Sequence, residues 1–139
     1  MQVQDAECLH RRPADRVYAF ASNRENLPQW ATAFIRSVRR AGAGWVAETQ
    51  NGPVGIQFVP ANEFGVLDHS VRPASGVEIL SPMRVLPNGA GSEVTFTLFQ
   101  LPEMSDQTFS EDAGMVEPGE TLLPDRPPSR RARAFGACP

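Results

Sequence analysis

The stretch 91-GSEVTFTLFQLPEMSDQTFSEDAGMVE-117 decides how this chain folds. Its first half alternates Val94, Phe96 and Leu98 with Glu93, Thr95 and Thr97, the period of two that marks a strand with one apolar face. Its second half carries helix-start chemistry. Ser105 is a capping residue, Asp106 belongs in a first turn, and Phe109, Ala113 and Val116 fall at i, i+4 and i+7. A one-faced strand followed by a one-striped helix predicts a helix lying on a sheet. Whether the space between them is packed or hollow separates an inert domain from a small-molecule site.

Upstream, residues 34–100 break into short runs of β-formers: FIRSVRRAG, WVAETQ, VGIQFVP, GVLDHSVRP, VEILSPMRVLP and SEVTFTLFQLP. Turn-forming segments separate them, with Asn51-Gly52 and Asn88-Gly89 the best hairpin dipeptides. Spacing of this kind predicts an antiparallel meander, and Pro82 inside the fifth run predicts a bulge or an edge there. Residues 2–10 read as an edge-like first strand with Val3, Cys8 and Leu9 as its inward candidates. Pro13 suits the start of a helix over about 13–21. Asn23 can cap a second helical turn carrying Leu27, Pro28 and Trp30. Strand, two short helices, six strands and a helix make an α+β domain over residues 1–117. Residues 118–139, with five of the 13 prolines, read as an atypical Pro/Arg-rich tail that is disordered or contacts another chain, so the last helix is shortened near Pro118.

Composition narrows the function. All 13 basic residues are Arg; residues 1–117 set nine of them against fourteen acidic residues, and the tail is net basic. An acidic body lacks the clustered cations that a nucleic-acid surface needs. No run approaches the roughly 18 apolar residues of a spanning helix. The amino terminus lacks a signal-peptide pattern, so a soluble, cytoplasmic protein is expected. Cys8 and Cys138 form no metal-binding spacing, and reduced thiols are expected. No GxGxxG, P-loop, HExxH, GxSxG or EF-hand string occurs, so neither a cofactor nor a metal is expected.

The segments 13-PADRVYAFASNRENLPQW-30, 65-GVLDHSVRP-73 and 81-SPMRVLPNGAGSEVTFTLFQLPEMSDQTFSEDAGMVE-117 together resemble the START-like, or SRPBCC (Bet v 1-like), superfamily, in particular its bacterial polyketide cyclase/dehydrase-like branch. The resemblance covers about residues 2–117. It implies a helix-grip fold: a curved antiparallel sheet of about six to seven strands around a C-terminal helix, with a hydrophobic cavity between them. It also implies lipids, polyketides or aromatic metabolites as ligands. After Glu117 the sequence departs from the family's long amphipathic helix. An apolar sheet face left uncovered would need a partner, a second copy of the chain being one.

Asp68-His69 is the sharpest polar pair. Strand neighbours point to opposite faces, so only one of them faces a cavity. The parity of Leu67 and Val71 favours His69. A cavity histidine serves as general acid or base, or more plainly holds a backbone carbonyl. Arg84 pairs with Asp68 or with an acidic ligand group, the plainer reading being a cross-strand ion pair. His10, among Arg11 and Arg12, reads as surface. The expected ligand-binding set is Trp30, Phe34, Trp45, Phe58, His69, Arg84, Phe96 and Phe109, with His69 the catalytic candidate. Three functions follow: a binding module for a small hydrophobic or aromatic molecule, a cyclase/dehydratase in which His69 moves protons, and a dimeric protein–protein module.

Overall fold

The computed structural model describes residues 2–32 and 34–115. The chain runs β1 (Val3–His10), α1 (Ala14–Ser22), a 3₁₀ turn (Arg24–Asn26), α2 (Leu27–Trp30), β2 (Ile35–Ala41), β3 (Gly44–Thr49), β4 (Gly52–Phe58), β5 (His69–Arg72), β6 (Ile79–Ser81), β7 (Met83–Asn88), β8 (Gly91–Phe99) and α3 (Asp106–Met115). All strand pairs are antiparallel, in the orders β1-β8-β7 and β2-β3-β4-β5-β6. The hairpin turns fall where the Asn-Gly dipeptides stand: Thr49 pairs with Gly52, and Asn88 with Gly91. The Pro/Arg-rich tail, Val116 and the expected helix end near Pro118 lie outside the described residues.

Pro82 does more than bulge a strand. The run expected as one strand is two, β6 and β7, and the break falls on the proline. Proline has no N–H for a ladder. On one side of it β6 continues the five-stranded order through β5; on the other β7 joins β8. Four bonds stitch the seam. Thr97 N–H donates to Pro82 O at 3.0 Å, Leu67 N–H to Met83 O at 2.9 Å and Val85 N–H to Gly65 O at 2.8 Å. The Met83 N–H goes to the Asp68 carboxylate at 2.9 Å, and the Arg84 guanidinium pairs with the same carboxylate oxygen.

Inward parity runs as expected along β4, β5 and β8. Ile56, Phe58, His69 and Val94 are buried. β1 matches expectation at Cys8 and departs from it at Val3 and His10. Cys8 and His10 are both 4% exposed, whereas Val3 is 57% exposed. The register decides this: Cys8 faces Val94 and His10 faces Ser92, both buried residues of β8, so the even-numbered side of β1 is the core side. Val3 and Leu9 share the opposite parity. Nor is Cys8 a free thiol, which corrects the expectation of reduced thiols for that residue; Cys138 lies outside the described residues.

The helices are placed by a few specific bonds. α1 buries Val17 and Ala21, and Tyr18 Oη accepts from the Asn62 N–H at 3.0 Å. Asn23 caps the 3₁₀ turn by accepting from Glu25 N–H at 3.1 Å, which delivers Leu27 and Trp30, both buried, on α2. Ser105 caps α3 at Thr108 N–H, 3.1 Å. The start of α3 is tied to both strands at one end of the β1–β8 pair. Asp106 accepts from Gln100 at 2.9 Å and from Gln2 at 3.0 Å, and Gln100 N–H donates to Gln2 O at 2.9 Å.

Two glycines differ in what they tolerate. Gly65 has φ +70°, and a Cβ there would lie 2.2 Å from Val85 O. Gly42 has φ +61° with open space around it. Gly42→Ala should therefore cost only the backbone term, about 1–2 kcal/mol. Gly65→Ala adds a backbone collision at the seam and should cost at least about 3 kcal/mol. Urea unfolding of the two variants checks this; equal losses would show that the seam yields freely.

Candidate functional site

A cavity of about 200 Å³ opens on the inner face of the sheet. Trp30 and Ala31 at the end of α2, with Phe34 just beyond, form one wall. The sheet supplies the other, through Val54 and Ile56 of β4, His69 and Val71 of β5, Ile79 and Ser81 of β6, and Phe96 and Leu98 of β8. The site exists because the inward-pointing residues of several strands converge where β6 ends at Pro82. Most of the lining is hydrocarbon, with a few polar side chains set into it, the usual make-up of a small-molecule site.

His69 is the only titratable side chain among the described lining residues. It is 9% exposed, and its ring is held on three sides. The Phe58 ring stacks on it with centroids 4.6 Å apart and planes at 28°, and Phe96 lies tilted at 6.2 Å. Nδ1 lies 2.9 Å from Leu67 O. A carbonyl only accepts, so Nδ1 carries the proton and Nε2 presents a lone pair. Among the described residues Nε2 has no hydrogen-bond partner. Burial strips water from the imidazolium and pushes the pKa below the ordinary 6.5; the Leu67 carbonyl opposes this without overcoming it. The imidazole is therefore neutral at neutral pH.

Two further polar groups stand in the wall. Ser81 is 8% exposed and is the direct cross-strand partner of His69. Trp30 is 5% exposed, and its buried Nε1–H has no acceptor among the described residues. A buried donor left unmade costs about 1–3 kcal/mol.

Of the residues expected at the site, the structure brings Trp30, Phe34, His69 and Phe96 to the cavity. The other four lie elsewhere. Phe58 backs the His69 ring, with the Arg24 guanidinium 5.0 Å from its centroid. Trp45 is on the correct side of β3, directly opposite the lining residue Ile56, but its own side chain is outside the lining and packs under Arg40 at 5.7 Å. Arg84 points away from the cavity and is spent on Asp68, the plainer of its two readings. Phe109 is buried at 3% exposure beneath α3, outside the lining. His10, expected on the surface, is core. Sequence parity missed Ser81, because a lone serine before a proline carries no signal until the β5–β6 register is known.

Solved structures share this architecture. The protein XoxI from Bacillus cereus superposes with a TM-score of 0.65 at 16% identity, over 83% of this chain and 87% of that one. A START superfamily protein from Mycobacterium smegmatis matches with a TM-score of 0.55 at 11% identity, over 77% of this chain and 83% of that one. This chain has the START-like fold. The di-domain ARO/CYC BexL of the BE-7585A biosynthetic pathway matches with a TM-score of 0.58 at 15% identity, over 70% of this chain and 35% of that one. No family model and no curated protein matches the sequence. Identities this low speak for the START-like fold alone. Within the described residues that fold has no helix long and apolar enough to cross a membrane, and no cluster of side chains suited to a metal ion.

The depressed histidine has a measurable consequence. As pH falls through about 6.5, the unfolded chain takes up a proton that folded His69 refuses, so stability declines, with a limiting slope of about 1.4 kcal/mol per pH unit. Asp106 is also held low, by hydrogen bonds from Gln100 and Gln2, but its stabilisation is lost only as pH falls below the ordinary 3.8. Urea unfolding between about pH 7.5 and 5.5 should show wild type losing stability relative to its own value at the upper end, with His69→Phe losing less. Parallel profiles would mean that His69 takes its proton in the folded state as readily as in the unfolded.

Proposed function

We propose that this protein binds a small hydrophobic or aromatic molecule in the cavity between α2 and the sheet. One observation carries the reading: an apolar cavity of about 200 Å³ whose polar groups are few, buried and only partly engaged by the protein. That volume holds several water-sized probes, room for a compact ring system. Binding would rest on buried apolar area, at about 25 cal/mol per Å², less the cost of ordering the ligand.

A second reading, a cyclase or dehydratase, is favoured by the neutral His69 facing the same space, and by the likeness to BexL in fold. It is the weaker of the two. Proton transfer to and from one substrate usually draws on more than one titratable group, and the described lining holds His69 alone. Turnover of a polyketide-like carbonyl chain that dropped in His69→Ala would move the balance to the enzyme; equal rates in the two proteins would remove that reading.

Val71 lines the cavity and is only partly buried, so Val71→Phe places a ring in the space a ligand needs. Titration of naphthalene into the whole wild-type chain, followed by its fluorescence, should saturate. Val71→Phe should bind at least about ten-fold more weakly while keeping a cooperative thermal transition. Absence of saturable binding to wild type would overturn the binding reading.

A further inference from the structure

Three buried side chains stand in a row across β4, β5 and β6. Phe58 pairs with His69, and His69 with Ser81; they are 9%, 9% and 8% exposed. Directly opposed residues on adjacent strands have Cβ atoms about 4.5–5.5 Å apart and project to the same face. The Phe58 ring and the Nδ1–H bond to Leu67 O fix the imidazole plane, leaving Nε2 as a lone-pair acceptor. Ser81 supplies a rotatable O–H, and its Oγ has no hydrogen-bond partner among the described residues. An acceptor and a donor thus belong to directly opposed residues of adjacent strands, and both residues line the cavity.

We propose that His69 and Ser81 form a clamp for a hydroxyl group, and that the ligand is a compact aromatic molecule bearing a neutral, phenol-type O–H. This rests on the binding reading above and adds the ligand's polar group to it. The ligand O–H donates to His69 Nε2, and its oxygen accepts from the Ser81 O–H. Other groups fit worse. A carbonyl oxygen satisfies Ser81 but sets its lone pairs against that of Nε2. A carboxylate meets no cation among the described lining residues, since Arg84 is engaged by Asp68 outside the cavity. An ammonium meets no carboxylate there. Either charge would be desolvated without a counter-ion.

The test compares 2-naphthol with 2-methylnaphthalene, in which a methyl group of similar size replaces the hydroxyl. Both are titrated by calorimetry into the whole wild-type chain, Ser81→Ala and His69→Phe. Wild type should prefer 2-naphthol by about ten-fold. Ser81→Ala should reduce that preference to about three-fold, and His69→Phe should abolish it. Each preference is the ratio of the two probes in one protein, so a change in cavity shape that affects both probes alike cancels, and a cooperative thermal transition shows that each variant is folded. Equal binding of the two probes by wild type would overturn the clamp while leaving the binding reading standing. A preference for 2-naphthol that survives both substitutions would also overturn it, by locating hydroxyl recognition elsewhere. If neither probe binds wild type, the clamp and the binding reading fall together.

Discussion

The structure turns on the fate of one backbone N–H, that of Met83. Pro82 interrupts the sheet, and the first amide after it would otherwise be stranded inside a β-surface. Asp68 takes it, at 2.9 Å, and the Arg84 guanidinium engages the same carboxylate oxygen. Hydrogen bonds to charged groups contribute about 1.5–3 kcal/mol, more than an ordinary ladder bond, so a side chain stands in adequately for the missing strand. Gly65 closes the same seam from the other direction by bringing its backbone against Val85. Because the break is mended this way, β6 is free to follow β5 while β7 follows β8, and the inner faces of both orders border one cavity.

The same seam explains why His69 is available. Strand alternation makes Asp68 and His69 point to opposite faces. Once Asp68 is committed to Met83 and Arg84 on the outside, His69 must face inward. There it can adopt neither full solvation nor a salt bridge. It accepts the one arrangement left: a neutral ring, stacked on Phe58, with one nitrogen on a carbonyl and the other on the cavity. An ion pair that does nothing in the site thus determines what is in it.

How far this was legible in the sequence follows from which interactions are local. Alternation in 94–98, 54–58 and 67–71 is a property of single strands, and the buried faces there match it. Capping is local too, and Ser105 and Asn23 cap where their sequence contexts place them. The face of β1 is not local. Its own residues are ambiguous, and only the register against β8 makes Cys8 and His10 core and leaves Val3 outside. How far a cavity extends across a face is likewise invisible to parity, and Trp45 opposes the lining residue Ile56 yet packs under Arg40 outside the lining. Ser81 needs both a strand break and a cross-strand register before it means anything. Which faces are apolar was therefore readable, but which of their residues reach the cavity was not: Trp45, Phe58 and Phe109 stay outside the lining, and Val54, Ile79 and Ser81, absent from the expected set, are in it.

That division bears on how a START-like fold acquires a particular ligand. Hydrocarbon walls set the size of what enters and discriminate weakly, since each methylene is worth about 1 kcal/mol. Selectivity has to come from the few polar atoms that burial makes costly to leave unmatched. In the proposed binding site those atoms would be His69 Nε2, Ser81 Oγ and Trp30 Nε1, which sit on three different elements: β5, β6 and α2. No short motif records such a set, and a fold shared at 11–16% identity need not preserve it. On the proposed binding reading the scaffold can stay constant while the ligand changes, because the scaffold depends on the Pro82 seam and ligand choice would depend on side chains the seam merely aims.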